Sequence, residues 1–180
     1  MELVQNNKLI WTIGHSTRTI EDFLSALTSF KIDVLVDVRR YAGSRKYPQF
    51  NLPALERSLS EVGIKYFPLP SLGGRRKPNP NSKNTVWRNE AFRGYADYTE
   101  STEFANALQE LIKVALNHRT AYMCSEAVWW SCHRSLISDY LKVRGWKVNH
   151  IMGPDKASEH PYTKPARIVD GKLCYEKTDS

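Results

Sequence analysis

The stretch MCSEAVWWSCHRS, residues 123–135, crowds two cysteines, a glutamate, two adjacent tryptophans, a histidine and an arginine between a strand pattern and a helix pattern. Each residue type suggests a chemistry and has a plainer alternative. Cys132 is expected at or just before the first turn of a helix, with His133 and Arg134 beside it. Free N–H groups, the helix dipole and neighbouring cations all favour a thiolate there. The plainer reading is a small buried cysteine closing the turn. Glu126 shares its turn with Trp129 and Trp130. If apolar rings raise its pKa it can serve as a general acid or base, or steady an oxocarbenium-like sugar carbon; otherwise it is a structural carboxylate paired with Arg134 or Arg39. Neither cysteine is followed by arginine at the Cys-x5-Arg spacing of phosphatase loops, so that chemistry is set aside.

Asp37 ends an otherwise apolar run, where a carboxylate is either catalytic or a brace for Arg39. Arg39, Arg45, Arg75, Arg76 and Arg134 offer cations for one or more phosphates, and Gly73 and Gly74 permit close backbone approach. Trp87, Trp129, Trp130, Tyr41 and Tyr47 interleave with those cations, a pattern suited to stacking bases while arginines hold phosphates; core packing is the alternative for one of the tandem tryptophans. A metal site would draw on Cys124, Cys132, His133 and His15, but the paired spacing of structural zinc is missing. Three cysteines, one of them the remote Cys174, are too few for an iron–sulfur cluster. The glycines fit neither the Walker A nor the dinucleotide spacing. No cofactor is expected and no metal ligand is assigned.

Strands alternating with helices must position these groups. KLIWTIG reads as a strand ending at Gly14, and Thr19 caps a helix over TIEDFLSALTSF. IDVLVDV reads as a strand covered on both faces. NLPALERSLSEVG reads as a helix and IKYFPL as a strand. Residues 71–94 form a long Gly-, Pro- and Asn-rich loop, expected to be functional or mobile. STEFANALQELIKVALNHR is a capped amphipathic helix, TAYMCSE a strand, CHRSLISDYLKVRG a helix and WKVNHIM a last inner strand. The tail suggests a loop and a β-hairpin at Asp170-Gly171. The expectation is one three-layer α/β domain over residues 1–180, with a mostly parallel sheet, a long basic loop and a C-terminal hairpin. In open parallel sheets ligands gather at the carboxyl ends of strands. That rule brings GHS (14–16, with His15 and Ser16), DVRRYAGS (37–44), SLGGRR (71–76), CSEAVWWSCHR (124–134) and HIMGPD (150–155) to one end.

The composition, 41% hydrophobic and 25% charged, is that of a globular chain. No apolar run is long enough for a membrane span, and MELVQNNKLIWTIG lacks the features of an export signal, so a cytoplasmic protein without membrane association is expected. The net charge of +7 favours an anionic partner. RRYAGSRK carries four positive charges and no acid, and residues 73–94 carry six against Glu90 alone. The alternative is a solvated basic loop.

The elements IGHS (13–16), LVDVRR (35–40), SR with PQFN (44–51), LGG (72–74) and CSEAVWWSCHR (124–134), in that order and spacing, resemble the family called domain of unknown function 488. The resemblance implies a compact α/β domain with a site built from Glu126, Cys132, His133 and Arg134, with Arg39 and His15 beside them. It also implies a loose association with DNA repair or nucleic-acid processing. The first reading is therefore an enzyme on nucleic acid, DNA above all, or a nucleotide-like anion, with Glu126 in glycosidic-bond or hydrolytic chemistry as in base excision. The second is a cysteine-dependent enzyme on a small anion, with Cys132 as nucleophile. The third is a non-catalytic nucleic-acid-binding module.

Overall fold

The computed structural model describes residues 8–178; the reading of the N-terminus as lacking an export signal rests largely on residues 1–7, outside this range. Six strands form one sheet in the order β3-β2-β4-β1-β5-β6. They are β1 (Leu9–Gly14), β2 (Val34–Asp37), β3 (Lys65–Pro68), β4 (Thr120–Cys124), β5 (Lys147–Gly153) and β6 (Lys156–Glu159). The first five run parallel and β6 returns antiparallel to β5. Strands β7 (Arg167–Val169) and β8 (Lys172–Cys174) make a separate antiparallel hairpin, turning at Asp170 and Gly171, both with positive φ.

Alternation along the inner strands divides the core in two. Val34 and Val36 of β2 join Ile10 and Tyr122 on one face of the sheet, under helices α3 (Glu90–Tyr98), α4 (Thr102–Asn117) and α5 (Arg134–Val143). Leu35 joins Trp11, Ile13, Ala121 and Met123 on the other, under α1 (Ile20–Ser29) and α2 (Ala54–Glu61). Covered on both sides, β2 and β4 are buried throughout, hence their near-continuous apolar sequence. Thr19 and Ser101 cap α1 and α4 by accepting the N–H groups of Asp22 and Phe104. No helix among the described residues is long and apolar enough to cross a membrane.

Two elements depart from the pattern expected. The last residues of the 71–94 loop are the first turn of α3, capped by Asn89, which accepts from Ala91 and Phe92 N–H. The loop ahead of it is tied down: buried Asp97 accepts from Asn79 N, Ser82 Oγ and Asn84 Nδ2, and Tyr95 and Tyr98 donate to the carbonyls of Leu72 and Ser71. The segment expected as a loop after WKVNHIM contains β6, whose four residues are all exposed; only backbone pairing to β5 makes it a strand.

Strand order sets the site. Neighbours β2 and β4 send their following connections in opposite directions, β2 to the edge strand β3 and β4 across β1 to β5. A crevice opens at such a switch point, at the carboxyl ends of the strands.

Candidate functional site

A cavity of about 280 Å³ lies at that crevice, walled by Arg39 after β2, Gly74, Tyr95 of α3, and Cys124, Cys132 and His133 around the β4–α5 connection. Glu126 also borders it, as do Arg40, Tyr41 and Arg75. A more open hollow adjoins it across Arg39 and Glu126 and holds His15 and Ser16.

Two thiols meet at its base. Cys124 ends β4 and Cys132 precedes α5; both are buried free thiols, with their Sγ atoms 2.7 Å apart. The neighbours decide which carries negative charge. Arg134 N–H reaches Cys132 Sγ at 3.4 Å and His133 Nδ1 stands 3.5 Å from it. Burial alone would push the Cys132 thiol up, but the hydrogen bond from Cys124 together with His133 and Arg134 outweighs it and holds Cys132 well below the ordinary thiol range. Cys124 moves the opposite way, raised by burial and by the charge on Cys132. It therefore donates its proton to the Cys132 thiolate. His133 donates from Nε2 to the Val38 carbonyl at 3.1 Å, which turns Nδ1 toward the sulfur.

Arg134 is 1% exposed, and no carboxylate among the described residues pairs with it. A buried cation needs compensation. Part comes from the thiolate, and part from neutral acceptors: Nη2 donates to the Glu126 carbonyl at 2.9 Å and Nη1 to Thr12 Oγ1 at 3.0 Å. Thr12 Oγ1 accepts there, which leaves its own proton for His150 Nδ1, 2.6 Å away. His150 then donates from Nε2 to His160 Nδ1 at 2.8 Å, and His160 from Nε2 to Asp139 Oδ1 at 2.7 Å. Tyr175, just after the hairpin, and Thr163 also donate to Asp139. One buried chain of hydrogen bonds thus runs from Arg134 to Asp139.

That chain has a pH consequence. Burial, with the nearby His160 and Arg134, lowers His150 from 6.5 to about 2. The unfolded chain takes up this proton first, so stability is full above pH 6.5 and falls as pH drops from there toward 2. Each pH unit in that window costs about 1.4 kcal/mol from this imidazole. Burial lowers His15 in the same direction. Urea unfolding at pH 6.5 and 4.5 should show a loss roughly 2–3 kcal/mol larger in the wild type than in His150→Gln; parallel losses would contradict the assignment.

On the opposite wall, Asp37 and Arg39 form a buried fork. Arg39 donates from Nε and Nη2 to both carboxylate oxygens at 2.8–3.1 Å, and from Nη2 to the Phe50 carbonyl at 2.9 Å. Asp37 also accepts from Arg39 N and from Tyr66 OH. Its oxygens are fully engaged and it borders neither hollow, so it braces Arg39. Arg39 Nη1 has no protein acceptor among the described residues and is left for the cavity its side chain lines.

Other expected site residues are distributed differently. Gly73 and Gly74 use their missing side chains for protein packing: a Cβ on Gly73 would lie 2.5 Å from Arg40 Cα, and one on Gly74 would lie 3.0 Å from His133 Nδ1. Gly74 nonetheless stays on the cavity wall. Trp129 stacks on His150 at 4.7 Å and 5° and meets Trp130 edge-on, so both stand apart from the cavity, as does Trp87, stacked on Phe92. Arg45 is exposed and borders neither hollow. Ser16 has a positive φ of 47° and donates its N–H to the Ser125 carbonyl, while His15 stacks on Phe50. Tyr95 and Phe92 of the cavity wall were not anticipated, although Asn89 followed by Phe92, Tyr95 and Ala96 at helical spacing carried the signal. Among the described residues no three His, Cys, Asp or Glu side chains converge in a way that could hold a metal ion.

A family model described as Domain of unknown function DUF488 matches residues 19–141. The chain belongs to the DUF488 family. No curated protein and no solved structure matches it. The matched stretch of the DUF488 domain carries Asp37, Arg39, both cavity cysteines, His133, Arg134 and Asp139, while IGHS, His150, His160 and the hairpin lie outside it.

Proposed function

We propose that this DUF488 protein is a cysteine-dependent enzyme acting on a small anionic substrate, with Cys132 as the nucleophile. The observation that carries the reading is a buried Arg134 without a carboxylate, set against a thiol that accepts its backbone N–H. A thiolate at Cys132 supplies the missing counter-charge, and a thiolate is the attacking form. His133 Nδ1 can take or return a proton beside the sulfur. Arg39, oriented by Asp37, offers Nη1 to the anion, and a cavity of about 280 Å³ suits a small molecule. The nucleic-acid reading draws support from the basic rim of Arg40 and Arg75 and from Glu126 at the cavity edge. Its stacking partners do not meet Glu126 there, so the thiol reading is preferred.

The test is alkylation by iodoacetamide across pH. A fast phase persisting well below ordinary thiol pH is expected. Cys132→Ala should abolish it, whereas Cys124→Ala should keep it but move it to higher pH, because the thiolate loses a donor. Sulfate should protect the wild type and not Arg39→Gln. A fast phase that survives in Cys132→Ala would sink the proposal.

A further inference from the structure

Beyond donating a hydrogen bond, a second thiol touching the attacking one has no covalent part in a hydrolytic cycle, where water would release a phosphoryl or acyl group from Cys132. Contact at 2.7 Å between Cys124 and Cys132 instead leaves only a short movement to the disulfide bond length of about 2.05 Å. Cys174, the remaining cysteine, sits on β8 beside Arg167 and is no part of this pair. Both cavity thiols are buried, at 1% and 3% exposure, so a bulky disulfide on another protein cannot reach them, whereas a small molecule in the cavity can. The cation that would receive it is Arg39, whose other nitrogens are already committed to Asp37 and Phe50.

We propose that Cys132 and Cys124 form an attacking and resolving pair that reduces the S–S bond of a small anionic sulfur compound. The proposal rests on the reading of Cys132 as nucleophile and adds the substrate class. Cys132 thiolate attacks one sulfur of the substrate; a bond forms from Cys132 Sγ to that sulfur, the substrate S–S bond breaks, and the far half leaves as an anion. Cys124 Sγ then attacks Cys132 Sγ, the Cys124–Cys132 disulfide forms, and the second half leaves. The Cys124 proton passes to solvent. The two thiols lose two electrons and the substrate S–S bond gains them. An external dithiol restores the reduced pair.

Tetrathionate is a suitable probe, because it carries two sulfonate charges around a central S–S bond and yields thiosulfate, which is easily measured. With the reduced protein carrying Cys174→Ser, which removes the third, partly buried thiol, two thiosulfate ions per chain and a Cys124–Cys132 disulfide in the peptide map are expected. Cys124→Ser should release one thiosulfate and stop with an adduct on Cys132, and Cys132→Ser should release none. Circular dichroism on each variant confirms folding. Two disulfides with similar leaving thiols isolate the charge: neutral 2-hydroxyethyl disulfide should react at least about tenfold more slowly than anionic dithiodipropionate, the effect of losing one charge-assisted contact, and Arg39→Gln should remove that preference. A stable adduct on wild-type Cys132 would overturn the resolving role while leaving the nucleophile intact. Equal rates for the charged and neutral probes would overturn the anionic substrate class. Absence of any reaction at Cys132, with its iodoacetamide fast phase present, would overturn the substrate class alone; absence of both would overturn the nucleophile too.

Discussion

Replacing Arg134 by leucine is expected to slow alkylation of Cys132 at neutral pH by roughly 10- to 100-fold, the equivalent of one charge-assisted interaction of about 1.5–3 kcal/mol. The cause is electrostatic. With the guanidinium gone, burial is opposed only by Cys124, His133 and the backbone N–H of residue 134, and the thiol keeps its proton to higher pH. The slowing should therefore shrink as pH rises, because both proteins approach full thiolate. Arg134→Lys should not restore the rate fully. An ammonium can supply charge but not a planar fork reaching the Glu126 carbonyl and Thr12 Oγ1 together. A slowing that is the same at every pH would mean that Arg134 supports only the loop, and the charge argument would fail.

Gly14→Ala should be the most damaging single-methyl change near the site. A Cβ there would lie 1.6 Å from the Glu126 carbonyl oxygen and 3.0 Å from Arg134 Nη2. The same loop is held to β1 by His15 N donating to Cys124 O and Ser16 N to Ser125 O, so neither backbone can step aside cheaply. Overpacking of this kind costs about 3 kcal/mol or more, which for a chain of this size lowers Tm by roughly 6–12 °C. The displaced carbonyl also takes away an acceptor of Arg134, so Cys132 reactivity should fall with stability. Thermal unfolding with parallel alkylation measures both; an unchanged Tm would show that the loop rearranges freely and that the close approach is not required.

The sheet, its helices and the hairpin were legible because each writes a local period or a turn signal: Val34–Asp37 as a run buried on both faces, Thr19 and Ser101 as caps, Asp170-Gly171 as a turn. Helix α3 was hidden because its buried side presents Gly94, Tyr95 and Asp97 beside Ala96 and no large aliphatic residue. Those are chosen for close contact with Arg76, for a hydrogen bond to Leu72 and for pinning the loop. Strand β6 was hidden because an exposed edge strand carries no hydrophobic pattern.

For the site, sequence alone determined the types of group and the end of the sheet where they gather. A strand–helix alternation sends every connection after a parallel strand to the same edge, so Arg39, Cys124, Cys132 and His133 share a cavity. What tertiary structure decided is direction. Tandem Trp129 and Trp130 turned away because His150, on a strand across β1, offers Trp129 a stacking face. Cys124 and Cys132, separated by seven residues, touch because the turn between them folds back onto Gly14. Arg134 has no carboxylate at hand, and its polar connection to Asp139 passes through residues 12, 150 and 160. Backbone periodicity is written in neighbouring residues, whereas the partner of a buried charge is chosen among groups that only the folded chain brings within hydrogen-bond reach.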